Sequence, residues 1–440
     1  MAEINRAVKG TNDILPDKSY KYRFVEEKML EIARFYGVGE IRVPVFEHTE
    51  VFSRNVGEDT DVVQKEMYTF CDKGGRSITL RPELTAGVVR SVIEHGILND
   101  ALPAKVCYVG GCYRYEKPQA GRLREFHQFG VECFGAAEPA ADAEIIALAR
   151  QILLTLGVKG VTLKINSIGC EKCRKNYVKA LKEYFSQYKD TLCATCNERL
   201  ERNPLRILDC KSPICADIAA RAPKITDYLC DDCKAHFARV KENLTAQGIL
   251  FEVDPFIVRG LDYYNRTVFE FVSDALGAQS TVCGGGRYDG LVAKMGGKDT
   301  PALGFALGIE RLMIILQSIN APLPDGKKCD LYICSMGEKA QIEAGRICAH
   351  LRQEGFEALC DLCGRSLKAQ MKCADKIGAQ YCMVLGDDEL NSRKAEIKDM
   401  KTGETNACDI SNIPDFITEL SHKSALRMLE ESVLNGDSTI

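Results

Sequence analysis

Three features are missing from this chain of 440 residues, and each absence excludes a class of protein. The sequence contains no apolar run of about eighteen residues, which a membrane-spanning helix needs, so we expect no membrane partner. It has no leader that joins a basic segment to an apolar stretch, so we expect no export and a cytoplasmic location. The formal net charge of −4 excludes a broadly basic coat for nucleic acid. We therefore expect no DNA partner, and any RNA contact must come from local patches.

The most informative stretch predicts a β-hairpin that joins residues 110–116 to residues 126–132. Alternate residues of a strand share a face, so these side chains line up: Gly110, Cys112, Arg114 and Glu116 on one strand, and Phe126, Gln128, Gly130 and Glu132 on the other. Antiparallel pairing brings both sets onto one polar surface. The connecting loop, Lys117–Arg124, carries three cations and suits phosphate. The alternative is an ordinary hairpin with a solvated charged face.

Three further stretches favour a binding site over a solvated hairpin. In Thr79–Ala86, Glu83 and Thr85 precede a helical run, and a carboxylate and a hydroxyl are the acceptors that an ammonium group needs. The others are Arg259–Asn265 and the glycine-rich pair of segments Gly284–Gly290 and Gly304–Leu312. Dense glycine lets backbone and ligand approach closely. The glycine spacing matches neither a Rossmann fingerprint nor a P-loop.

Together these residues resemble the histidyl-tRNA synthetases, a family of class II aminoacyl-tRNA synthetases. Three segments match the motifs of the class: Ile41–Phe46 with Pro44, Arg114–Glu132 and Gly304–Arg311. Two more are similar to signatures peculiar to the histidine enzymes: Arg259–Asn265 and Gly284–Asp289. The resemblance runs from about Lys9 to Leu420. In the class, the proline of the first motif lies at a dimer interface, so the resemblance also implies a homodimer.

The expected fold is α+β. The resemblance implies a catalytic domain around an antiparallel sheet at residues 1–325, an α/β anticodon-binding domain at 329–425 and a C-terminal tail at 426–440. Pattern changes support this division, because strand spacing gives way to a helical, charged, cysteine-bearing insertion at about residues 165–247. After the proline-rich linker Pro322–Lys328, short buried strands alternate with helices, which is typical of a small parallel α/β domain.

The implied activity is that of a ligase that joins L-histidine to tRNA(His) with ATP, Mg²⁺ accompanying the ATP. The histidine carboxylate is itself the nucleophile, so the protein supplies positioning and positive charge. The resemblance assigns the catalytic role to Arg259 and Arg114. It assigns histidine binding to Glu83, Leu84, Thr85, Arg114, Gln128, Glu132, Arg259, Tyr263 and Tyr264. It assigns ATP binding to Arg114, Glu116, Arg122, Phe126 and Arg311.

Two other functions compete with this reading. A non-catalytic paralogue serves as a regulatory subunit of ATP phosphoribosyltransferase, but such proteins lack the anticodon-binding domain and lose parts of the signatures. The second rival is a class II synthetase for proline, threonine or glycine, against which Glu132 and Tyr264 argue, since a site that hydrogen-bonds both imidazole nitrogens rejects other side chains.

Cysteine is abundant, with 21 copies, which in an unexported chain argues for a reducing compartment and against a disulfide framework. Three Cys-x-x-Cys pairs crowd the insertion, with Cys210 and Cys215 nearby: Cys170/Cys173, Cys193/Cys196 and Cys230/Cys233. This is the spacing of zinc knuckles, in which two pairs meet around one Zn²⁺. The alternative is that they are small packing groups, as the pair Cys360/Cys363 elsewhere suggests. If zinc binds, we expect it to stabilise the insertion and to leave histidine activation largely intact.

Overall fold

The structure is a computed structural model that describes residues 6–53, 60, 62–210, 212–273, 281–326 and 329–420. The chain divides into two compact units, Met1–Pro324 and Asp325–Ile440. The tail predicted at 426–440 and part of the linker, residues 327–328, lie outside the described residues.

The larger unit is built on an eight-stranded sheet. Its strands, with those of a small second sheet, are β1 (Gly39–Glu40), β2 (Phe46–His48), β3 (Thr69–Cys71), β4 (Ser77–Leu80), β5 (Ala104–Tyr113), β6 (Glu125–Phe134), β7 (Val161–Ser167), β8 (Glu252–Val253), β9 (Asn265–Ser273), β10 (Thr281–Arg287) and β11 (Ala302–Gly308). The strand order is β1-β5-β6-β11-β10-β9-β7-β8, and β2-β4-β3 form the small sheet. All pairs from β5 to β7 are antiparallel, and only the edge strands β1 and β8 pair in parallel. The predicted α+β class is confirmed.

The helices of the larger unit are α1 (Pro16–Phe35), α2 (Thr49–Ser53), α3 (Thr85–Glu94), α4 (Pro139–Thr155), α5 (Glu171–Ser186), α6 (Ala194–Arg202), α7 (Pro213–Ala220), α8 (Asp231–Ala246), α9 (Leu291–Lys294) and α10 (Ile309–Ser318). One face of the sheet buries Phe129 and Val131 against Met29 of α1 and Ile152 of α4. Because side chains alternate along β6, the even-numbered residues point to the opposite face. That face carries the candidate site.

Residues 41–45 of the first-motif segment, which includes Pro44, form no strand. Only β1, just before it, joins the sheet, and the segment runs on without regular structure. Pro44 has no N–H to give to a strand ladder. Instead, the carbonyl oxygens of Val43 and Pro44 accept hydrogen bonds from Nη1 of Arg81 at 2.7 and 3.1 Å.

The insertion consists of α5, α6, α7 and the first turns of α8. These elements enclose their own apolar cluster, which includes Tyr177, Leu181 and Phe185. The second half of α8 packs instead on the core of the sheet through Val240 and Leu244. Helix α8 therefore joins the insertion to the eight-stranded sheet.

The smaller unit is an α/β structure. Its elements are β12 (Leu331–Ser335), α11 (Glu338–Gln353), β13 (Ala358–Cys360), α12 (Leu367–Lys376), β14 (Tyr381–Leu385), α13 (Asp387–Ser392), β15 (Lys394–Asp399) and β16 (Thr405–Asp409). The strand order is β13-β12-β14-β15-β16, with the first three strands parallel and the last two added antiparallel. Ile333, Met383 and Ile347 lie in its apolar core.

Candidate active site

The hairpin of β5 and β6 forms one half of a polar floor. Gly110 lies opposite Gln128 and Cys112 opposite Phe126, so the two alternating sets share a face as predicted. Strand β11 continues the surface, with Gly304 opposite Glu132. Above this floor lies a cleft of about 390 Å³.

The cleft collects most of the residues that the sequence singled out. Its lining includes Glu83, Thr85, Arg114, Glu116, Arg122, Phe126, Gln128, Arg259, Tyr263, Tyr264 and Arg311. Leu84 and Glu132 do not line it. Leu84 is buried in the apolar layer with Val88 and Val89 of α3, and Glu132 is buried on the same face of the sheet as the floor, covered by other side chains.

Glu83 lies at the start of α3 and is almost fully buried. Its carboxylate accepts hydrogen bonds from the backbone N–H groups of Thr85 and Ala86, at 2.9 and 2.7 Å. These are amides of the first helical turn, which have no partner within the helix. Burial raises the pKa of Glu83, while these hydrogen bonds and the charge of Arg114 act in the opposite direction. The helix end thus holds a carboxylate in place at the wall of the cleft.

Glu132 is held by three hydroxyl groups. Its Oε1 accepts from Thr85 Oγ1 at 2.7 Å and from the Tyr108 hydroxyl at 2.9 Å, and its Oε2 accepts from the Tyr288 hydroxyl at 2.5 Å. Burial raises the pKa of Glu132 to about 8, although the three hydroxyl groups oppose the shift. Sequence reasoning missed Tyr108 and Tyr288. The signal for Tyr108 was its position two residues before Gly110, on the same face of β5.

Glycine makes room for this buried carboxylate. A Cβ atom on Gly304 would lie 1.9 Å from Oε2 of Glu132 and 2.4 Å from the Val131 carbonyl oxygen. A Cβ atom on Gly130 would lie 2.3 Å from the Tyr108 ring. The glycines of the floor are therefore required by close packing.

Two arginines lie over the middle of the floor. Arg259 forms an ion pair with Glu270 of β9, and its guanidinium lies 5.4 Å from the centre of the Tyr264 ring. Arg114 lies 5.3 Å from the centre of the Phe126 ring and donates through Nε to the Pro82 carbonyl oxygen at 2.8 Å. Sequence reasoning missed Glu270, which belongs to β9 and faces the floor opposite Gly284. Both guanidinium groups are thus oriented before any ligand arrives.

The loop 117–124 is tied to the far end of the cleft. Arg122 forms an ion pair with the buried Glu116 and lies 3.4 Å from a carboxylate oxygen of Glu66, another residue that sequence reasoning missed. Arg311 donates to the carbonyl oxygens of Gly121 at 2.8 Å and Thr281 at 3.1 Å. Positive charge is therefore concentrated at this end, and burial followed by the charges of Arg114 and Arg122 lowers the pKa of Arg311.

Arg287, in the segment Gly284–Asp289, stabilises the packing of helix α4 on the sheet and does not line the cleft. Its side chain is fully buried and forms an ion pair with Asp142 of α4 at 2.7 Å. It also donates to the carbonyl oxygens of Ala136 and Glu138, at 2.9 and 3.0 Å. The next residue, Tyr288, is the one that reaches the site, through Glu132.

The cysteines of the insertion gather into two groups of four. One group is Cys170, Cys173, Cys230 and Cys233, and the other is Cys193, Cys196, Cys210 and Cys215. Within each group all sulfur atoms lie within 4.8 Å of one another.

The helices were also compared with the length and hydropathy that a membrane span requires. No helix in the described part of the chain is long and apolar enough to cross a membrane.

Comparison with known proteins gives one consistent result. The family model described as Histidyl-tRNA synthetase matches residues 10–172 and 215–312, and that described as Anticodon binding domain matches residues 330–420. The chain is 55% identical over 401 residues to a protein of Acetivibrio thermocellus named Histidine--tRNA ligase, covering 91% of this chain and 96% of that protein. It is 52% identical over 400 residues to the protein of the same name from Clostridium perfringens SM101, covering 91% and 95%. The crystal structure of apo histidyl-tRNA synthetase from S. aureus matches with a TM-score of 0.80 at 41% identity, covering 94% of this chain and 99% of that one.

Proposed function

Because this chain belongs to the histidyl-tRNA synthetase family, we propose that it activates L-histidine with ATP and transfers the histidyl group to the 3′ end of tRNA(His). The observation that carries the proposal is the cleft, in which Arg114, Arg122, Arg259 and Arg311 meet the Glu83–Thr85 corner. The alternative of a regulatory subunit is not supported, since the chain aligns with ligases over nearly their whole length and matches an anticodon-binding domain.

In the first step the histidine carboxylate attacks the α-phosphate of ATP, which enters as its magnesium complex, and diphosphate leaves. No protein nucleophile is needed because the substrate supplies one. Negative charge grows on the phosphate oxygens, and preorganised cations stabilise it most effectively. Arg259 and Arg114 are the catalytic residues of the proposal. Their existing partners, Glu270 and the Pro82 carbonyl group, fix the guanidinium positions before ATP binds.

The remaining nucleotide contacts fall to the far end of the cleft. Arg122 and Arg311 bind the outer phosphates, and Phe126 stacks on the adenine. Arg122 is paired with Glu116 in the structure, so phosphate binding exchanges one charged partner for another. Glu116, which also lines the cleft, then lies beside the bound nucleotide next to Arg122.

Recognition of histidine takes place at the other end. Glu83, Thr85 and Gln128 bind the amino group and the nearby backbone atoms, Tyr263 shapes the wall, and Leu84 packs in the apolar layer behind it. Glu132 and Tyr264 bind the imidazole nitrogens. Both oxygens of Glu132 already accept hydrogen bonds from hydroxyl groups. When the histidine side chain binds, one of these hydrogen bonds is therefore replaced by one from the imidazole.

The proposal extends to the assembly of the protein. The small sheet leaves Val45, Phe46 and Phe70 exposed by 41%, 57% and 49%. Single exposed apolar residues are common, but Phe46 and Phe70 lie on the two strands that flank β4, and Val45 joins Phe46 to Pro44 of the first motif. A second copy of the chain is the partner that we propose for this face, in a cytoplasmic homodimer.

Zinc bound by the cysteines of the insertion would have a structural role. It would take no part in the chemistry of adenylation, because a four-sulfur site has no open position for a substrate.

Exchange of labelled diphosphate into ATP, measured with each amino acid in turn, tests the activity. We expect exchange with histidine and none with proline, threonine or glycine. Histidine-dependent exchange should be followed by charging of tRNA(His). Absence of exchange with every amino acid would contradict the ligase assignment, and exchange with one of the three rivals would move the chain to another specificity.

A further inference from the structure

The first cysteine group is built from the starts of two helices. Cys170 lies just before α5 and Cys230 just before α8, and Cys173 and Cys233 follow in the first turn of each. Sγ of Cys170 lies 3.6 Å from that of Cys173 and 3.9 Å from that of Cys230. Residues 60 positions apart in the chain are thus placed sulfur to sulfur.

The second group repeats this plan. Cys193 lies just before α6, Cys196 is in its first turn, Cys215 is in α7, and Cys210 comes from the connection between them. Sγ of Cys193 lies 3.9 Å from that of Cys210. In both groups a backbone N–H donates to a sulfur of the other helix: Cys230 to Cys173 at 3.1 Å in the first, and Cys193 to Cys215 at 3.3 Å in the second.

The sulfur spacing matches a single tetrahedral metal ion. Four thiolates at about 2.3 Å from a Zn²⁺ lie about 3.8 Å from one another. The three separations given above, 3.6 to 3.9 Å, agree with this value, and every other separation within a group is at most 4.8 Å. A disulfide requires about 2.05 Å, and all eight thiols are free. A four-iron cluster needs the sulfurs further apart, because each thiolate binds a different iron.

Burial argues against a pure packing role. Cys173, Cys196, Cys215 and Cys233 are buried, as small apolar residues would be, but each shares its group with two half-exposed cysteines. Packing gives no reason for Cys170 or Cys193 to turn its sulfur toward the others from a half-exposed position. In the described part of the smaller unit, Cys360 and Cys363 have the same spacing and join no such group.

The backbone around the first group also fits. Gly169 has φ of +67°, and a Cβ atom there would lie 2.5 Å from Cβ of Cys173. Only glycine allows the chain to pass the sulfur group this closely. The N-termini of α5, α6 and α8 point toward the sulfurs, and the positive end of a helix dipole stabilises thiolates.

We infer that the insertion holds two structural Zn²⁺ ions, one bound by Cys170, Cys173, Cys230 and Cys233 and the other by Cys193, Cys196, Cys210 and Cys215. Each ion joins segments that the sequence separates. Zinc binding supplies folding free energy to small domains whose apolar core is limited. The first ion joins α5 to α8, and the second closes α6 onto α7.

The two sites stand next to the histidine-binding segment. Arg174, one residue after Cys173, donates to the backbone carbonyl groups of Asp262 and Tyr264. Arg206, between the cysteines of the second group, donates to the Arg259 carbonyl oxygen at 3.3 Å. From the sequence we expect loss of zinc to leave histidine activation largely intact. Because of these contacts, we expect instead that loss of the ions weakens histidine binding.

Elemental analysis of the full-length protein, purified without chelator, tests the inference. We expect about two equivalents of zinc per chain. Cys170→Ser and Cys193→Ser should each retain about one, and the double variant almost none. These two ligands are half-exposed, so their replacement disturbs packing least. Cys348→Ala, in the core of the smaller unit, is the matched control and should retain two equivalents.

X-ray absorption at the zinc edge keeps the test valid where a variant fails to fold. The wild-type protein should show four sulfur neighbours at about 2.3 Å. Less than about a tenth of an equivalent of zinc, iron in its place, or nitrogen and oxygen neighbours would overturn the inference. A stoichiometry of one, lost in only one of the two variants, would overturn the assignment of the other site.

Discussion

The floor of the cleft and the insertion place their functional groups by different means. In the floor, an antiparallel sheet fixes the spacing of every side chain, and residues such as Arg259 and Glu132 have protein partners in the absence of a ligand. In the insertion, helix ends and the connections between helices bring together eight thiols in two groups of four. The first region is preorganised by its own hydrogen bonds, whereas the second has the donor set and the sulfur spacing of a metal site. A change in the floor should therefore affect chemistry first, and a change in the insertion should affect folding first.

Arg259→Ala should give the largest effect. Removal of a preorganised charge donor costs on the order of a hundredfold or more in rate, so we expect histidine-dependent diphosphate exchange to fall by at least that factor while the melting temperature changes little. Arg239→Ala is the control, because Arg239 is exposed and pairs with Glu138 at 3.3 Å on the surface. Near-normal exchange in the Arg259 variant would show that this residue has no catalytic role.

Gly304→Ala should come next, because the new methyl group meets Oε2 of Glu132 and a backbone carbonyl group. Overpacking of this kind costs about 1–3 kcal/mol of unfolding free energy. Thermal unfolding should show the loss, together with weaker histidine activation. Gly308→Ala is matched to it on the same strand, where the nearest atom to a Cβ is 3.7 Å away on the Arg311 side chain. Equal melting temperatures for the two variants would contradict the close packing of Glu132.

Arg174→Met connects the two regions and should have a moderate effect. It removes hydrogen bonds to the carbonyl groups of Asp262 and Tyr264, each worth about 1 kcal/mol. We expect KM for histidine in the exchange reaction to rise roughly fivefold, with a smaller change in kcat. Arg221→Met, at the exposed residue that follows α7, should leave KM unchanged. An unchanged KM in the Arg174 variant would separate the insertion from histidine binding.

Glu132→Gln tests the electrostatics of the floor, and the effect measured here, a pH-dependent difference in melting temperature, should be the smallest of the four. The pKa of Glu132 is raised from its usual value to about 8, so between about pH 5 and pH 8 the folded protein holds a proton that the unfolded chain releases. This contribution to stability is present at low pH and is lost as the pH rises through that range. The melting temperature of the wild type, relative to the variant, should therefore be higher at pH 5 than at pH 8.5. An equal difference at both values would show that the Glu132 carboxyl ionises normally.

Much of the floor was predictable because period-2 spacing is a local property. The pairing of Gly110 with Gln128 follows from one hairpin, whose two strands are neighbours in the chain. The partners of Glu132 were not predictable, since Thr85, Tyr108 and Tyr288 come from three separate segments that only the folded sheet brings together.

The same limit applies to motif residues and to the cysteines. Arg287 lies inside a signature, yet the register of β10 places it opposite Leu303 and turns it into the core. The Cys-x-x-Cys spacing indicated pairs of ligands but not which pairs meet. Cys210 and Cys215 have a different spacing, and only the fold of α6 and α7 places them beside Cys193. The course of residues 41–45 likewise depends on a distant residue, because Arg81 donates to the carbonyl oxygens of Val43 and Pro44.

The hydrogen bonds from Arg174 and Arg206 to the backbone of residues 259–264 also imply an effect in the reverse direction. Coupling between two sites is reciprocal, so a ligand that binds more tightly when the insertion is ordered must itself order the insertion by the same free energy. Saturating histidine should therefore slow amide hydrogen exchange in α5 and α6, which are far in sequence from residues 259–264. The order of the insertion would then depend on whether the cleft is occupied.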